Sequence, residues 1–415
     1  MHDRTPSAKR LAGEASPEFS GTGRDLRLDV CRGIALWWIF LDHVPNNVGS
    51  WLTPRNYGFC DAAEIFMLIS GVTCALAYGS ARQREGWHGV VGRSLRRGWS
   101  IYAAFLLLTL ACAVLVYFSG SEDLADDSNT RILFEQPGAT FAHAAMLQYR
   151  PVNTDILPVF VLGHVLFAPL LWLLLRAPNL TLGVSLLLYA LVHVFGWGVP
   201  AWPNGTWYFN PLAWQVLFVI GAWWVISGDR VRPWITSRAV LVLAVLYLAF
   251  SLVLALSWSI TPLVPHAITD RLFPLDKSNL SPLRLLHFLA LAIVAVRLVP
   301  RDWRGLSSPV LRCARSCGAN SLPIYCLGVL LALVCELTLL DLSDRLVMQL
   351  ALSLAGILVM IVVATLLGAV GGKSERAPKE TPSAGKVGPA IPRYGDNESV
   401  NSGRIDPRFP AMPCL

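Results

Sequence analysis

Arg32 and His43, separated by ten residues, lie along the first apolar stretch of this 415-residue chain. Eleven helical steps of about 100° make about 1,100°, roughly 20° past three turns, and a rise of about 1.5 Å per residue sets the two ends roughly 16 Å apart. Both side chains then share one helix face. Asp29 precedes Arg32 by one turn, so the stripe Asp29, Arg32, Leu36, Ile39, His43 carries charge at one end and an imidazole at the other. A guanidinium holds phosphate or carboxylate through paired donors, with Asp29 placed to neutralise and orient it. An imidazole takes or gives protons near neutral pH. The stripe therefore suits an anionic donor at one end and general-base or relay chemistry at the other. The bland alternatives are a basic anchor and a hydrogen-bonding core histidine. Ionisable groups inside an apolar span are costly unless they face the bundle interior or water.

The elements that must position these residues follow from composition. With 54% hydrophobic and 15% charged residues, the chain departs from the soluble average toward a multi-pass membrane protein. A span needs about 20 mostly apolar residues. Ten candidates lie near 33–50, 61–79, 98–119, 154–175, 179–196, 209–227, 238–257, 284–299, 319–340 and 345–370. The expected fold is all-α, a polytopic helix bundle with about ten transmembrane helices. Alternating the loops from a cytoplasmic start puts twenty lysines and arginines on the cytoplasmic side and seven opposite, the bias that the positive-inside rule requires. Both termini are then cytoplasmic. The expected organisation is a polar N-terminal segment 1–28, a transmembrane domain 29–372 and a disordered cytoplasmic tail 373–415, rich in Pro, Gly, Ser, Lys and Glu.

The net charge of +7 is explained by loops resting on an anionic lipid leaflet, not by nucleic-acid binding. No cleavable signal peptide is expected. The nine scattered cysteines do not suggest a disulfide framework. No histidine pair has the three- or four-residue spacing of a dedicated helical metal site, so no metal is expected.

Most of the unusual polar residues fall at span ends on the side away from the basic loops. His43 follows Asp42, and Asp61 and Glu64 lie one turn apart at the start of the second span. Asn153 and Asp155 open the fourth. Trp207, Asn210 and Gln215 open the sixth, and Asn279 and His287 flank the start of the eighth. Such a gathering predicts a shared polar cavity with aromatic rings for stacking on a sugar. Two competing explanations apply: Trp and Tyr also form interfacial belts, and Asp61, Asn153 and Asn210 suit helix capping. On the basic side, Arg93, Arg97 and Arg315 join Arg32 and Asp29 as candidates to hold a polyanion, each otherwise an ordinary anchor.

At these residues the chain resembles the OpgC family of osmoregulated periplasmic glucan succinyltransferases, related to the membrane acyltransferase-3 superfamily. The resemblance rests on Arg24-Asp-Leu-Arg-Leu-Asp29-Val-Cys-Arg32-Gly, Asp42-His43-Val-Pro-Asn-Asn, the stretch from Ser50 through Asp61-Ala-Ala-Glu64-Ile-Phe, and later blocks around Asn153, Asn210, Asn279 and Asn320. It covers roughly residues 24 to 370. It implies an acyl-CoA donor, succinyl-CoA in this family, on the cytoplasmic side and a periplasmic β-glucan acceptor, with no permanently bound cofactor. His43 would act as general base, oriented by Glu64 or Asp61, with Asp42 beside it and about 80° off the stripe. A covalent acyl-histidine route is the alternative. Asn153, Asp155, Trp207, Asn210, Gln215, Asn279 and His287 would serve the acceptor. Two other readings stay open: a polysaccharide O-acetyltransferase of another substrate class, and a transporter or exporter without chemistry.

Overall fold

The computed structural model describes residues 25–260, 263–300 and 303–375, with helix assignments to residue 375 and side chains to residue 370. Most of segment 1–28 and of tail 373–415, on which two of the domain expectations fall, lies outside the described residues. Among the described residues there is no β-strand. The chain folds as α1 (Leu26–His43), α2 (Ala62–Ser119), α3 (Glu122–Asp127), α4 (Arg131–Glu135), α5 (Pro137–Ala145), α6 (Ile156–Val165), α7 (Phe167–Arg176), α8 (Pro178–Phe195), α9 (Pro211–Ile235), α10 (Arg238–Ser259), α11 (His266–Leu272), α12 (Pro282–Leu298), α13 (Pro309–Ala319), α14 (Ser321–Asp341) and α15 (Leu346–Glu375).

The first helix sits earlier than the apolar run suggests, at 26–43 instead of 33–50. Asp25 starts it by accepting from the Arg27 amide at 3.1 Å, the usual N-cap device. Val44 stops it in an extended conformation, because the following Pro45 crowds the α region of its predecessor. The second and third expected spans together make up α2, 58 residues in all, whose two helical halves are separated by a break within the basic stretch between them. At about 1.5 Å per residue that helix far exceeds the roughly 30 Å of a bilayer core. It breaks at Gly86, whose φ of 69° only glycine adopts without strain. The fourth expected span divides into α6 and α7, bent by 57°. Pro169, in the first turn of α7, has no amide proton to donate and its ring conflicts with the carbonyl four residues back.

Six helices among the described residues are long and apolar enough to cross a membrane, or seven with α6 and α7 taken as one broken span. The α12 helix has 17 residues, and α1, with 18, carries Arg27, Asp29, Arg32, Asp42 and His43. Most of the apolar side chains of α8, α10 and α15 face outward, as lipid-facing surfaces do and as a water-facing surface of that extent would not.

The centre of the bundle is α2 packed on α9 and α6, with α1 wedged between α2, α13 and α14. Two crossings are set by glycine pairs. A Cβ on Gly33 would stand 1.7 Å from the Ala314 carbonyl oxygen, and one on Gly318 1.9 Å from that of Asp29. Likewise Gly71 abuts the Phe218 carbonyl and Gly221 that of Leu68. Small residues let helix backbones meet in this way inside a membrane. Gly318→Val should push α13 off α1, with a cost of about 1–3 kcal/mol or more because the opposing atoms are backbone. The expected readout is a fall of several degrees in the melting temperature of the detergent-solubilised protein; an unchanged melt would mean that the crossing is looser than described.

Candidate functional site

Part of the stripe on α1 borders a cavity of about 140 Å³ between α1, α2, α6 and α14. Arg32 and Ile39 line it from α1, and Phe66, Ser70, Thr73 and Arg97 from α2. Ile156, Leu157, Phe160 and His164 of α6 and Tyr325 of α14 complete most of the wall. Arg32 Nη2 donates to Thr73 Oγ1 at 3.0 Å, which directs the guanidinium toward α2. On the far side Tyr78 OH and His164 Nδ1 lie 2.8 Å apart, with Cys74 Sγ 3.6 Å from the same nitrogen. Two expected donor-side residues, Arg32 and Arg97, thus meet in one slot.

The other donor-side candidates lie elsewhere: Arg93 pairs with Glu85 on the exposed part of α2 and Arg315 sits on α13, and neither lines the slot. Asp29 is buried, its carbonyl pressed against Gly318.

At the opposite end of α1, His43 is half-buried, and its Nδ1 is enclosed without a hydrogen-bond partner among the protein atoms. Asp61, Lys277 and Arg55 are charged groups within electrostatic reach of it. Asp42 accepts from Thr53 Oγ1 at 2.8 Å, which folds the turns at 48–56 back onto the helix end.

Asp61 and Glu64 form a capping box on α2: Asp61 accepts from the Ala63 amide at 2.9 Å, and Glu64 accepts from the Asp61 amide at 3.0 Å. Their remaining capacity goes to cations. Arg284 donates to Glu64 Oε1 from Nε at 2.9 Å and Nη2 at 2.6 Å, and to Asp61 Oδ2 at 3.2 Å. Lys277 Nζ reaches Asp61 Oδ2 at 2.6 Å. Burial works against the Lys277 ammonium, but the Asp61 carboxylate outweighs it and holds the amine above the ordinary lysine range. The expectation that Glu64 or Asp61 orients the imidazole is therefore not met by a direct hydrogen bond. Both carboxylates are committed to cations that bind them more strongly than a neutral imidazole would.

Most of the expected acceptor-side residues make contacts within the protein. Trp207 is buried beneath the Arg150 guanidinium, 5.0 Å from its ring centre. Asn210 caps α9 and donates to the Trp197 carbonyl and to Asn279 Oδ1. Asn279 donates in turn to Asp276 at 2.8 Å. Gln215 exchanges hydrogen bonds with Ser185, and His287 is buried against Gly58 with Cys60 Sγ 3.1 Å from Nδ1. The capping explanation holds for Asp61 and Asn210. Asn153 instead takes a left-handed conformation, φ 68°, and its carbonyl accepts from Tyr325 OH at 2.6 Å. Asp155 alone of the acceptor-side set lines an open cavity, beside Arg150 and Tyr208.

Sequence reasoning passed over Lys277 and Arg284, although both belong to the few basic residues that the charge pattern puts opposite the rest. His164 gave no signal beyond being a lone histidine in an apolar run.

A slot edged by arginines at one end of a helix and an enclosed imidazole among charges at the other lie within a multi-pass helical membrane protein. The chain is a member of the OpgC family: the family profile, described as OpgC protein, matches residues 24–371. Membership implies a glucan acyltransferase-type function. Comparison with curated proteins and with solved structures gave no match.

Removing one partner from a buried ion pair costs about 3–5 kcal/mol because the other charge is left unpaired. Arg284→Met should accordingly destabilise the protein strongly, and the triple change with Asp61→Asn and Glu64→Gln should recover much of the loss. Unfolding of the purified variants in detergent measures both; a triple variant no more stable than Arg284→Met would contradict the charge account.

Proposed function

We propose that this protein carries a succinyl or related acyl group from cytoplasmic acyl-CoA to hydroxyls of a periplasmic β-glucan, in a bundle of about ten spans with both termini cytoplasmic. The observation that carries the reading is the slot along α1, which begins at Arg32 and Arg97 and includes Ile39, one turn from His43. The cytoplasmic arginines hold the donor's phosphates, and its extended arm lies in the slot with the thioester near His43, over a distance of roughly 16 Å along the helix.

The glucan hydroxyl gives its proton to neutral His43 as its oxygen attacks the thioester carbonyl. Collapse of the tetrahedral intermediate forms the ester and breaks the carbon–sulfur bond, and the departing thiolate recovers the proton from the imidazolium. Lys277 and Arg55 are cations within reach of His43. They supply positive potential for the developing oxyanion and for an anionic acyl tail.

Mass spectrometry of periplasmic glucans with and without the gene tests the reading. Succinyl esters that disappear with the gene are the expected result; neutral acetyl esters would overturn the succinyl assignment, and unchanged glucans the acyl transfer itself. His43→Ala should insert normally and lose about 10²–10⁴-fold in transfer rate, and a fully active variant would exclude the general-base role. Arg32→Ala should raise the KM for donor while leaving that for acceptor unchanged; equal donor affinity in variant and parent would count against its phosphate role.

A further inference from the structure

The cavity beside Asp155 has no role in the scheme above. Three loops build it: Asn129 from the first, Gln148, Arg150 and Asp155 from the second, and Ala201–Tyr208 from the third, contributing Trp202, Asn204, Thr206 and Tyr208. We propose that this cavity binds one or two sugar residues of the acceptor glucan, with the Tyr208 ring as its platform. The proposal rests on the glucan reading and names the place where that acceptor is held.

Four observations support it. The first is size. At about 240 Å³ the cavity is smaller than the roughly 300–1,000 Å³ of sites that enclose a whole drug-sized ligand, and it is open, so it suits a unit or two of a chain whose remainder stays outside.

The second is charge. The one cation in the lining, Arg150, is paired with Asp155 at 3.2 Å, donates to the Leu147 carbonyl at 3.1 Å and lies against the Trp207 ring. A cavity whose charges cancel is a poor site for a polyanion such as the donor's phosphates and a good one for neutral hydroxyls.

The third is preorganised polarity. Asn129 Nδ2 donates to the Arg150 carbonyl at 2.9 Å, and Gln148 Oε1 lies 2.7 Å from His143 Nδ1. These bonds fix both amides while leaving the other amide atom of each without a protein partner. His143 also stacks on Trp202, with ring centres 4.8 Å apart, so one wall is held rigid. Asn204 and Thr206 are exposed and offer further donors and acceptors. Tyr208, 46% exposed, presents an apolar ring face of the kind that covers a sugar's C–H groups.

The fourth is position. Lys277 lies 5.9 Å from the Tyr208 ring centre and 2.6 Å from Asp61, and Asp61 is within electrostatic reach of His43. The first turn of α6 divides the two cavities, with Asp155 lining this one and Ile156 and Leu157 lining the donor slot. A glucan seated here abuts the histidine end of the slot.

The test is binding of a β-linked gluco-oligosaccharide to the full-length protein in detergent, by calorimetry and by quenching of tryptophan fluorescence, without acyl-CoA. Tyr208→Ala should raise the Kd about tenfold or more, Tyr208→Phe should bind nearly as the parent does, and Asn204→Ala should weaken binding severalfold, all with parental melting temperatures. A parent that does not bind the oligosaccharide, or Tyr208→Ala and Asn204→Ala variants that bind as tightly as the parent, would overturn the proposal. Glucan esters measured in the same strains separate the two readings. Binding lost in Tyr208→Ala from a parent that never esterifies glucan keeps the cavity assignment and removes the transferase. Esterification with undiminished binding in both alanine variants does the reverse.

Discussion

The cluster of buried Asp61, Glu64 and Arg284 with half-buried Lys277 is the constraint on which the histidine end of the bundle depends. Glu64 is fully inaccessible, and Asp61 and Arg284 are nearly so. Charges at that depth are tolerable only when each has an opposite neighbour and its hydrogen-bonding capacity is filled. Two carboxylates on the first turn of α2 therefore require two cations, and these come from the loop before α12 and from α12 itself, more than 200 residues away in sequence. Satisfying that requirement ties the start of α2 to α12. It also orders the 276–281 loop, whose carbonyls accept from Trp214 Nε1 and Tyr189 OH. The same closure leaves Lys277 between the Asp61 carboxylate and the rings of Tyr208 and Phe209, so structural pairing and the electrostatics around His43 come from one set of residues.

Close helix approach and bent helices do the remaining positioning. The Gly33–Gly318 crossing sets α1 against α13 on its back, which leaves the Arg32–Ile39 face toward α2, α6 and α14. The Gly71–Gly221 crossing brings α9 onto α2 at the level of Thr73, the partner of Arg32. The bend after α6 carries α7 away, while His164 stays at the slot wall. Each of these is a backbone event, and together they leave a cavity beside Arg32 and Ile39 of the stripe.

Much of the fold was legible because its causes are local. Apolar runs of about 20 residues, Asp61 at a helix start and the coming together of Arg32 and His43 on one face follow from composition and helix geometry, whereas α1 itself starts and stops seven residues before the apolar run suggests. The break between the second and third expected spans was legible as a basic stretch, but its placing at Gly86 was not, since several glycines lie there and only the backbone conformation singles one out. The acceptor-side residues were legible as polar groups at helix ends, but their type could not tell a cap from a ligand. Asn210 and Asn279 spend their amides on the loops beside them, whereas Asp155 reaches an open cavity.

By itself, then, the sequence determined a family, a helical membrane-spanning chain and an arginine–histidine stripe with a fixed spacing, because periodicity and transfer free energy act over a few neighbouring residues. The tertiary structure alone decided which arginines share a slot, that Glu64 answers to Arg284 and not to the imidazole, and that Tyr208 rather than Trp207 faces open space. Those outcomes depend on which distant charges and backbones meet, and a buried charge is settled only by the partner that the whole bundle brings to it.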